Sequence, residues 1–330
     1  MEEIPGFWAG ALDARVRPSP EAVERLGGWG AVADGGVDAL VWAGLTPEAA
    51  RRWVHSPPKR TQGRFVTIAD PAYPPRMKED PLGPLVLCYE GELGLLHDDA
   101  IAVVGTRDCT GYGGQVARHL GASFAARGVA VVSGLALGID SYAHRGAIAR
   151  TVAVLGHGLS FTAPLQHSPL RRAILEAGGC VLTAFADDIE PRPHTFPTRN
   201  QWIAAASRLV VVVEAPSRSG ALLTAAAAER LVREVYAVPG PLGAPASRGC
   251  LDALRTGAKV VWDVDDFVAT VTATVAASPD GWQLALFAGR PVEAVARLAN
   301  RTTAELLADL GRLEVSGAVV RLPGGRFAPG

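Results

Sequence analysis

The sequence predicts an α/β fold: a Rossmann-like parallel sheet with helices on both faces, flanked by a small helical N-terminal domain and a winged-helix-like C-terminal domain. Three observations support this prediction. Short apolar runs alternate with helical patterns in the middle of the chain, residues 1–54 show helical spacing, and residues 282–330 combine helical patterns with a turn sequence. Alternating short strands and helices are typical of βα units.

The first predicted domain covers residues 1–54. Thr46 precedes Pro47 and a helical pattern, which indicates a helix with a capping hydroxyl and a proline in its first turn. The polar segment from His55 to Arg64 contains paired prolines. Because proline interrupts both helices and strands, we expect a linker there.

The second predicted domain covers residues 65–267 and contains the sheet. Its apolar runs are too short for helices and rich in β-branched residues, as expected for strands covered on both faces. We predict strands at Ile101–Val104, Val129–Val132, Val152–Leu155, Val181–Thr183, Leu209–Val213, Val235–Val238 and Val260–Trp262.

The third predicted domain covers residues 282–330. Helical patterns occur at Val292–Leu298 and Thr303–Leu313, and Pro323, Gly324 and Gly325 then mark a hairpin turn. Two helices followed by a hairpin suggest a winged helix.

Composition limits the possible partners. The net charge is −1, so any polyanion must be held by a few placed arginines and backbone amides. The four cysteines show no Cys-x-x-Cys spacing, which argues against a zinc site and against a disulfide framework. No apolar stretch reaches the length of about 18 residues that a membrane span needs, so we expect a cytoplasmic protein without a membrane segment, metal or cofactor.

The ends of the predicted strands indicate a phosphate-binding crevice. Ile101–Val104 is followed by "GTRDCTGYG", Val129–Val132 by "SGLALGID" and Leu209–Val213 by "EAPSRSGALLT". Glycines let a ligand approach the backbone, and the helix starts that follow present unpaired amides, which favour an anion. The carboxyl ends of parallel strands share one edge, so these segments should meet.

Two common phosphate-binding motifs are absent from the sequence. The Gly-x-Gly-x-x-Gly fingerprint of dinucleotide sites does not follow the first strand, and no Gly-Lys pair occurs for a P-loop. The best remaining cations are Arg107 and Arg199, which lie among hydroxyls and glycines. This pattern suits a sugar-phosphate chain bound without chemistry, as in single-stranded nucleic acid.

Five successive segments carry a family resemblance. "VVGTRDCTGYG", "VVSGLALGIDSYAH", "FPTRNQWIA", "VVVEAPSRSGALLTA" and "REVYAVPG" resemble the ordered motifs of the DNA-processing protein A (DprA, or Smf) family, and the similarity spans most of Asp70 to Val261. The flanking domains resemble its helical, SAM-like N-terminal and winged-helix C-terminal domains. The resemblance implies a homodimeric single-stranded DNA-binding protein, not an enzyme, that protects incoming DNA in natural transformation and helps load RecA recombinase.

The candidate DNA-binding residues follow from the strand ends and from this resemblance, with no catalytic residue assigned. They are Gly105, Thr106, Arg107, Ser133, Gly134, Phe196, Arg199, Asn200, Ser217, Ser219 and Gly220. Arg107 and Arg199 should be the affinity anchors, and their loss should spare folding if the side chains are exposed. Thr198 and Gln201 stand where the family usually has cations, which leaves fewer charges to share the phosphates.

Several nearby residues have a structural alternative. Asp140 and His144 lie four residues apart, so they are either an acid–base pair or, more commonly, a helix cap with a local hydrogen bond. Glu214 is either a general base or a group that orients arginines and amides. Phe196 and Trp202 are either core residues or platforms for base stacking.

Two other functions remain as alternatives. A phosphoribohydrolase-like enzyme would bind a nucleotide phosphate with a similar fold, but the chain has "PGPLGAPASRG" in place of Pro-Gly-Gly-x-Gly-Thr with its catalytic glutamate. A winged-helix duplex binder would need a basic recognition helix. The sequence "TTAELLADLGRLE" instead carries Glu305, Asp309 and Glu314 against Arg312.

Overall fold

A computed structural model of the chain describes residues 1–14, 17–276, 292, 302–315, 319–322 and 326–329. The chain divides into two compact units, residues 1–268 and residues 269–330. The predicted boundary between residues 54 and 65 falls inside the first unit, so the division into three domains stays a prediction. Among the described residues, no helix has both the length and the apolar character needed to cross a membrane.

The N-terminal segment is mainly helical. Its elements are strand β1 (Glu2–Ile4) and helices α1 (Gly6–Asp13), α2 (Pro20–Arg25), α3 (Trp29–Trp42) and α4 (Pro47–Val54). Helix α4 begins where predicted, because the Thr46 hydroxyl accepts a hydrogen bond from the Ala49 amide at 3.2 Å. Trp53, near the end of α4, is buried against Trp29 of α3 with 6.4 Å between the ring centroids.

The segment predicted as a linker contains a strand. Strand β2 (Lys59–Thr61) pairs antiparallel with β1, with Lys59 opposite Ile4. The linker prediction is therefore wrong for these three residues, and also for Arg64, where the next strand begins. The hydrogen-bonding partner of β2 is β1, which lies at the start of the chain, so the sequence around residues 59–61 does not indicate the pairing.

Two strands that the sequence analysis missed precede the predicted sheet strands. They are β3 (Arg64–Thr67) and β4 (Val86–Gly91), and the short helix α5 (Pro75–Lys78) lies between them. β3 pairs antiparallel with β4. A Pro-rich segment joins β3 to β4. Because proline interrupts strands, this segment obscures the strand pattern on either side of it.

The main sheet is dominated by parallel strands, as predicted. The parallel strands described are β5 (Ala100–Val104), β6 (Ala130–Ser133), β7 (Thr151–Val154), β8 (Cys180–Thr183), β9 (Leu209–Val212), β10 (Glu234–Ala237) and β11 (Lys259–Val260). Their order in the sheet is β11-β10-β9-β5-β6-β7-β8, and β4 and β3 extend it antiparallel beyond β8. Every residue of β5 to β9 is buried, which explains their almost continuous apolar sequences.

Helices cover both faces of this sheet. They are α6 (Gly111–Ala126), α7 (Ile139–Gly146), α8 (Ser168–Glu176), α9 (Thr195–Ala205), α10 (Gly220–Arg230) and α11 (Arg248–Arg255), and α12 (Val264–Ala276) follows them. α6 packs against α7, and α9 packs against α10. The Rossmann-like architecture predicted from the sequence is confirmed.

The C-terminal part contains a helix and two paired strands. The helix covers Thr303–Val315, close to its predicted bounds, and strand Val319–Leu322 pairs antiparallel with strand Arg326–Pro329. The predicted helix Val292–Leu298, apart from residue 292, and the turn at residues 323–325 lie outside the described residues. The winged-helix assignment therefore stays a prediction.

Candidate nucleic-acid interface

The carboxyl ends of the central strands meet at one edge of the sheet. β5 lies between β6 and β9, and the chain runs outward from β5 through β6, β7 and β8 before it returns to β9 on the other side. A reversal of this kind opens a crevice at the strand ends, and ligands of open α/β sheets bind there. The sequence predicts a phosphate-binding crevice at this edge.

A crevice of about 570 Å³ lies at this reversal point. Its walls come from the loop after β5, the start of α9 and the loop that leads into α10. The predicted site residues that line it are Gly105, Thr106, Arg107, Phe196, Arg199, Asn200, Ser219 and Gly220. A smaller cavity of about 160 Å³, lined by Gly134, shares Arg107, Phe196 and Arg199 with it.

Arg107 and Phe196 form an exposed pair in the crevice wall. Arg107 is exposed, and its guanidinium carbon lies 5.1 Å from the centre of the half-buried Phe196 ring. A guanidinium can bind phosphate while an aromatic face stacks on a base. Trp202, the other candidate platform, is buried against Phe185 with 4.8 Å between their ring centroids. Trp202 therefore belongs to the core.

Arg199 also lines the crevice, but it is only 4% exposed. Its Nη1 donates hydrogen bonds to the carbonyls of Gly134 and, at 2.8 Å, Val154, and its Nε donates to Asn200 Oδ1 at 3.1 Å. Burial lowers the pKa of Arg199 to about 10, which still keeps it protonated near neutral pH. The exposure that would let the fold tolerate loss of this side chain is therefore not met for Arg199. Arg199 holds the crevice wall together through these hydrogen bonds.

Asn200 and Ser219 position the start of α10. The Asn200 amide nitrogen donates to the Gly220 carbonyl at 3.0 Å. Ser219 is the N-cap of α10, and its hydroxyl accepts a hydrogen bond from the Ala221 amide at 3.3 Å. The start of α10 therefore borders the crevice with its first-turn amides, an arrangement that favours anions.

Two predicted site residues line neither the crevice nor the smaller cavity. Ser133 is fully buried, and its hydroxyl donates to the Val103 carbonyl at 2.7 Å. Ser217 is exposed, but its neighbours Pro216 and Arg218 line the crevice instead. Ser133 links two strands, so direct phosphate contact by its side chain is not supported.

Asp140 holds the loop between β6 and α7. Its Oδ2 accepts hydrogen bonds from the amides of Gly134 at 3.1 Å and Ala136 at 3.4 Å. Burial raises the pKa of its carboxyl, while the charge of Arg199 and the two amides act in the opposite direction. The predicted local hydrogen bonding of Asp140 is found, but its predicted place as helix cap is wrong, because the N-cap of α7 is Gly138.

His144 fixes the same loop from inside the protein. Its Nε2 accepts a hydrogen bond from the Leu135 amide at 3.2 Å, so its proton lies on Nδ1, which donates to the Thr151 hydroxyl at 2.7 Å. His167 Nδ1 donates to the Leu135 carbonyl at 2.8 Å. The hydrogen bonds of His144 and Asp140 thus go to the loop rather than to each other.

The stability of the fold is expected to fall in mild acid through His144. Burial lowers the pKa of His144 from 6.5 to about 3, so the native state binds fewer protons than the unfolded state. The contribution of neutral His144 is complete above about pH 7 and is lost as the pH falls from 6.5 towards 3, at up to about 1.4 kcal/mol per pH unit. Urea unfolding should show a flatter pH profile for His144→Gln than for the wild type. Equal slopes would contradict a buried neutral histidine.

Glu214 positions the start of α6. Its Oε2 accepts a hydrogen bond from the Thr110 amide at 2.8 Å, and its Oε1 accepts one from the Thr110 hydroxyl at 2.6 Å. The Thr110 hydroxyl in turn accepts from the Gly113 amide at 3.2 Å, which caps α6. These contacts agree with an orienting role for Glu214 rather than a general base.

Sequence reasoning missed Arg218. It is exposed and lines the crevice in the loop that leads into α10. Arg218 lies between Ser217 and Ser219, whose hydroxyls were the predicted phosphate contacts of this loop. A positive side chain in a loop after a parallel strand was the available signal.

Comparison with known proteins agrees with the motif pattern. A family model described as "DNA recombination-mediator protein A" matches residues 64–272. The chain is 33% identical over 324 residues to Protein Smf of Escherichia coli, an alignment that covers 88% of this chain and 87% of that protein. It is 44% identical over 225 residues to the putative DNA processing protein DprA of Mycobacterium tuberculosis, which covers 63% of this chain and 58% of that protein.

Solved structures show the same fold. The X-ray structure of DprA from Streptococcus pneumoniae superposes with a TM-score of 0.68 at 28% identity, covering 81% of this chain and 98% of that one. DprA from Helicobacter pylori, whose structure is described as showing a single-stranded DNA binding mode, gives a TM-score of 0.59 at 25% identity. That alignment covers 64% of this chain and 98% of that one.

Proposed function

The chain belongs to the DNA recombination-mediator protein A family, and we propose from that premise that its crevice binds single-stranded DNA. The protein would protect DNA that enters the cell during natural transformation and help to load RecA recombinase onto it. It would act in the cytoplasm as a homodimer and without catalysis. The names of its relatives and the single-stranded DNA binding described for the Helicobacter pylori protein support this function.

One observation carries the proposal: an exposed guanidinium beside an aromatic ring. Arg107 lies 5.1 Å from the centre of the Phe196 ring at the edge of the crevice. In a single strand, phosphates and unstacked bases are available together, so the two side chains can contact both. The start of α10 and the exposed Arg218 supply further anion contacts in the same crevice.

An enzymatic alternative finds little support in the acidic groups near the crevice. Asp140 accepts hydrogen bonds from two loop amides, and Glu214 is occupied by Thr110. Both carboxylates therefore hold backbone in place. Incubation with nucleoside monophosphates tests the alternative, since release of a free base would contradict a purely DNA-binding role.

A duplex-binding role for the C-terminal part is also disfavoured by charge. Helix Thr303–Val315 carries Glu305, Asp309 and Glu314 with a single arginine, Arg312. A phosphate backbone would repel this helix. We propose that the C-terminal part serves protein contact or packing.

A gel-shift comparison tests the proposed function directly. Labelled single-stranded DNA should bind more tightly than duplex DNA of the same length, with RNA as a further competitor. A RecA-loading assay on the same single strand tests the role in recombination, and sedimentation tests the homodimer. Preferential binding to duplex DNA would overturn the proposal.

The salt dependence of single-strand binding is expected to be shallow. The net charge is −1, and the exposed cations described in the crevice are Arg107 and Arg218. If three or four phosphates are neutralised, the slope of log affinity against log salt should be about −2 to −3. Fluorescence anisotropy at several salt concentrations measures it. A much steeper slope would show a larger basic track than this crevice provides.

A further inference from the structure

Another cavity, of about 290 Å³, lies at the same edge of the sheet. It is formed by the start of α6, the end of β9 and the loop after β10, and we call it the Tyr112 cavity. Its lining residues are Thr110, Tyr112, Glu214, Pro239, Gly240, Pro241, Ala244, Ala246 and Ser247. Among the described residues, it shares none of these with the crevice. It also uses the end of "REVYAVPG", a motif that the crevice does not explain.

The residues that line the Tyr112 cavity suit a flat ligand that carries hydrogen-bond donors. Its walls include two prolines and two alanines, and Tyr112 is 51% exposed beside them. An exposed tyrosine ring offers a stacking surface for a nucleobase.

Glu214 adds a directed acceptor to this apolar cavity. Each of its oxygens accepts one hydrogen bond from Thr110. A carboxylate has about four acceptor sites, so each oxygen keeps one. Glu214 lines the cavity and is only 5% exposed, so this remaining capacity is open to a ligand in the cavity rather than to the outer surface. A ligand with two adjacent N–H donors would use it fully.

We propose that the Tyr112 cavity is a guanine-binding subsite for the same DNA strand that occupies the crevice. This inference rests on the proposed function. Guanine presents an imino and an amino donor side by side, which match the two oxygens of a carboxylate. Thymine places two carbonyl oxygens beside its single imino donor, and these would be repelled by Glu214. The cavity therefore gives a strand-binding protein a preference for guanine at one position.

Wild-type protein provides the first test. Oligo-dT with a single internal dG should bind at least about fivefold more tightly than oligo-dT of equal length, the lower end expected for a two-donor contact. Equal affinity for the two strands would overturn the guanine subsite while leaving single-strand binding intact. Failure to bind either strand would instead overturn the proposed function, and the subsite with it.

Variants locate the preference in the cavity. Glu214→Gln, which keeps the size of the side chain, should reduce the preference for the dG strand to below about twofold, with thermal unfolding used to confirm that the variant folds. Tyr112→Ala should also reduce the preference, and Tyr112→Phe should restore it, because phenylalanine keeps the stacking ring. Arg107→Ala should weaken both strands equally and leave their ratio unchanged. A preference that survives in both Glu214→Gln and Tyr112→Ala would overturn the proposal.

Discussion

Arg107→Ala is expected to weaken binding of single-stranded DNA by about 10- to 150-fold, the equivalent of about 1.5 to 3 kcal/mol for a charged hydrogen bond. Arg107 is the exposed guanidinium beside Phe196, and few other cations share the phosphates. Oligo-dT and mixed-sequence strands should lose affinity equally, because phosphates carry no base identity. Fluorescence anisotropy with both strands measures the effect.

The matched control is Arg127→Ala. Arg127 is exposed at the end of α6, just before β6 begins, so it lies at the opposite edge of the sheet from the crevice. Arg233 is unsuitable as a control because its Nη1 donates hydrogen bonds to the carbonyls of Ala204, Ala205 and Ser207. If folded Arg107→Ala binds single strands as tightly as Arg127→Ala, the crevice is not the DNA site.

Arg199→Ala is expected to destabilise the fold by about 3–5 kcal/mol, the range for breaking a buried charged contact. The substitution removes the donor that joins the carbonyls of Gly134 and Val154 and leaves both without it. It also removes the positive charge that favours the ionised form of buried Asp140. Urea unfolding measures the loss.

The comparison with Arg107→Ala makes this prediction specific. Arg107 is exposed, so its removal should change the free energy of unfolding by no more than about 0.5 kcal/mol. Affinity measured for Arg199→Ala reports on DNA contact only if the variant remains folded. Wild-type stability in Arg199→Ala would show that the hydrogen bonds of this side chain do not hold the crevice wall.

The parallel strands could be predicted from the sequence because a strand buried on both faces is almost continuously apolar. β5 to β9 consist of short apolar runs, and each lies within one or two residues of its predicted bounds. β2 was missed because its pairing partner lies at the start of the chain and its own residues are polar, whereas β3 and β4 were missed because they flank a Pro-rich segment. The N-cap at Thr46 was predictable because a capping hydroxyl acts on its own helix.

The location of the candidate site could be predicted from the sequence, but the different roles of its two arginines could not. Strand ends indicated where Arg107 and Arg199 would lie, and both line the crevice. Their different burial could not be inferred, because the carbonyls that bind Arg199 lie 65 and 45 residues away in the chain. Arg218, in contrast, has a local signal, because it is a cation between two hydroxyl residues in a loop after a parallel strand. It could have been predicted from the sequence.

The loop from Gly134 to Gly138 has a consequence for the kinetics of binding. Asp140, His144, His167 and Arg199 all bind its backbone, so this wall keeps one conformation before any strand arrives. Preorganisation spares the protein the loss of conformational entropy that a mobile loop would suffer on association, and the flexible strand bears that loss instead. Variants of the exposed crevice residues should therefore differ mainly in how fast the strand dissociates, with association rates nearly unchanged.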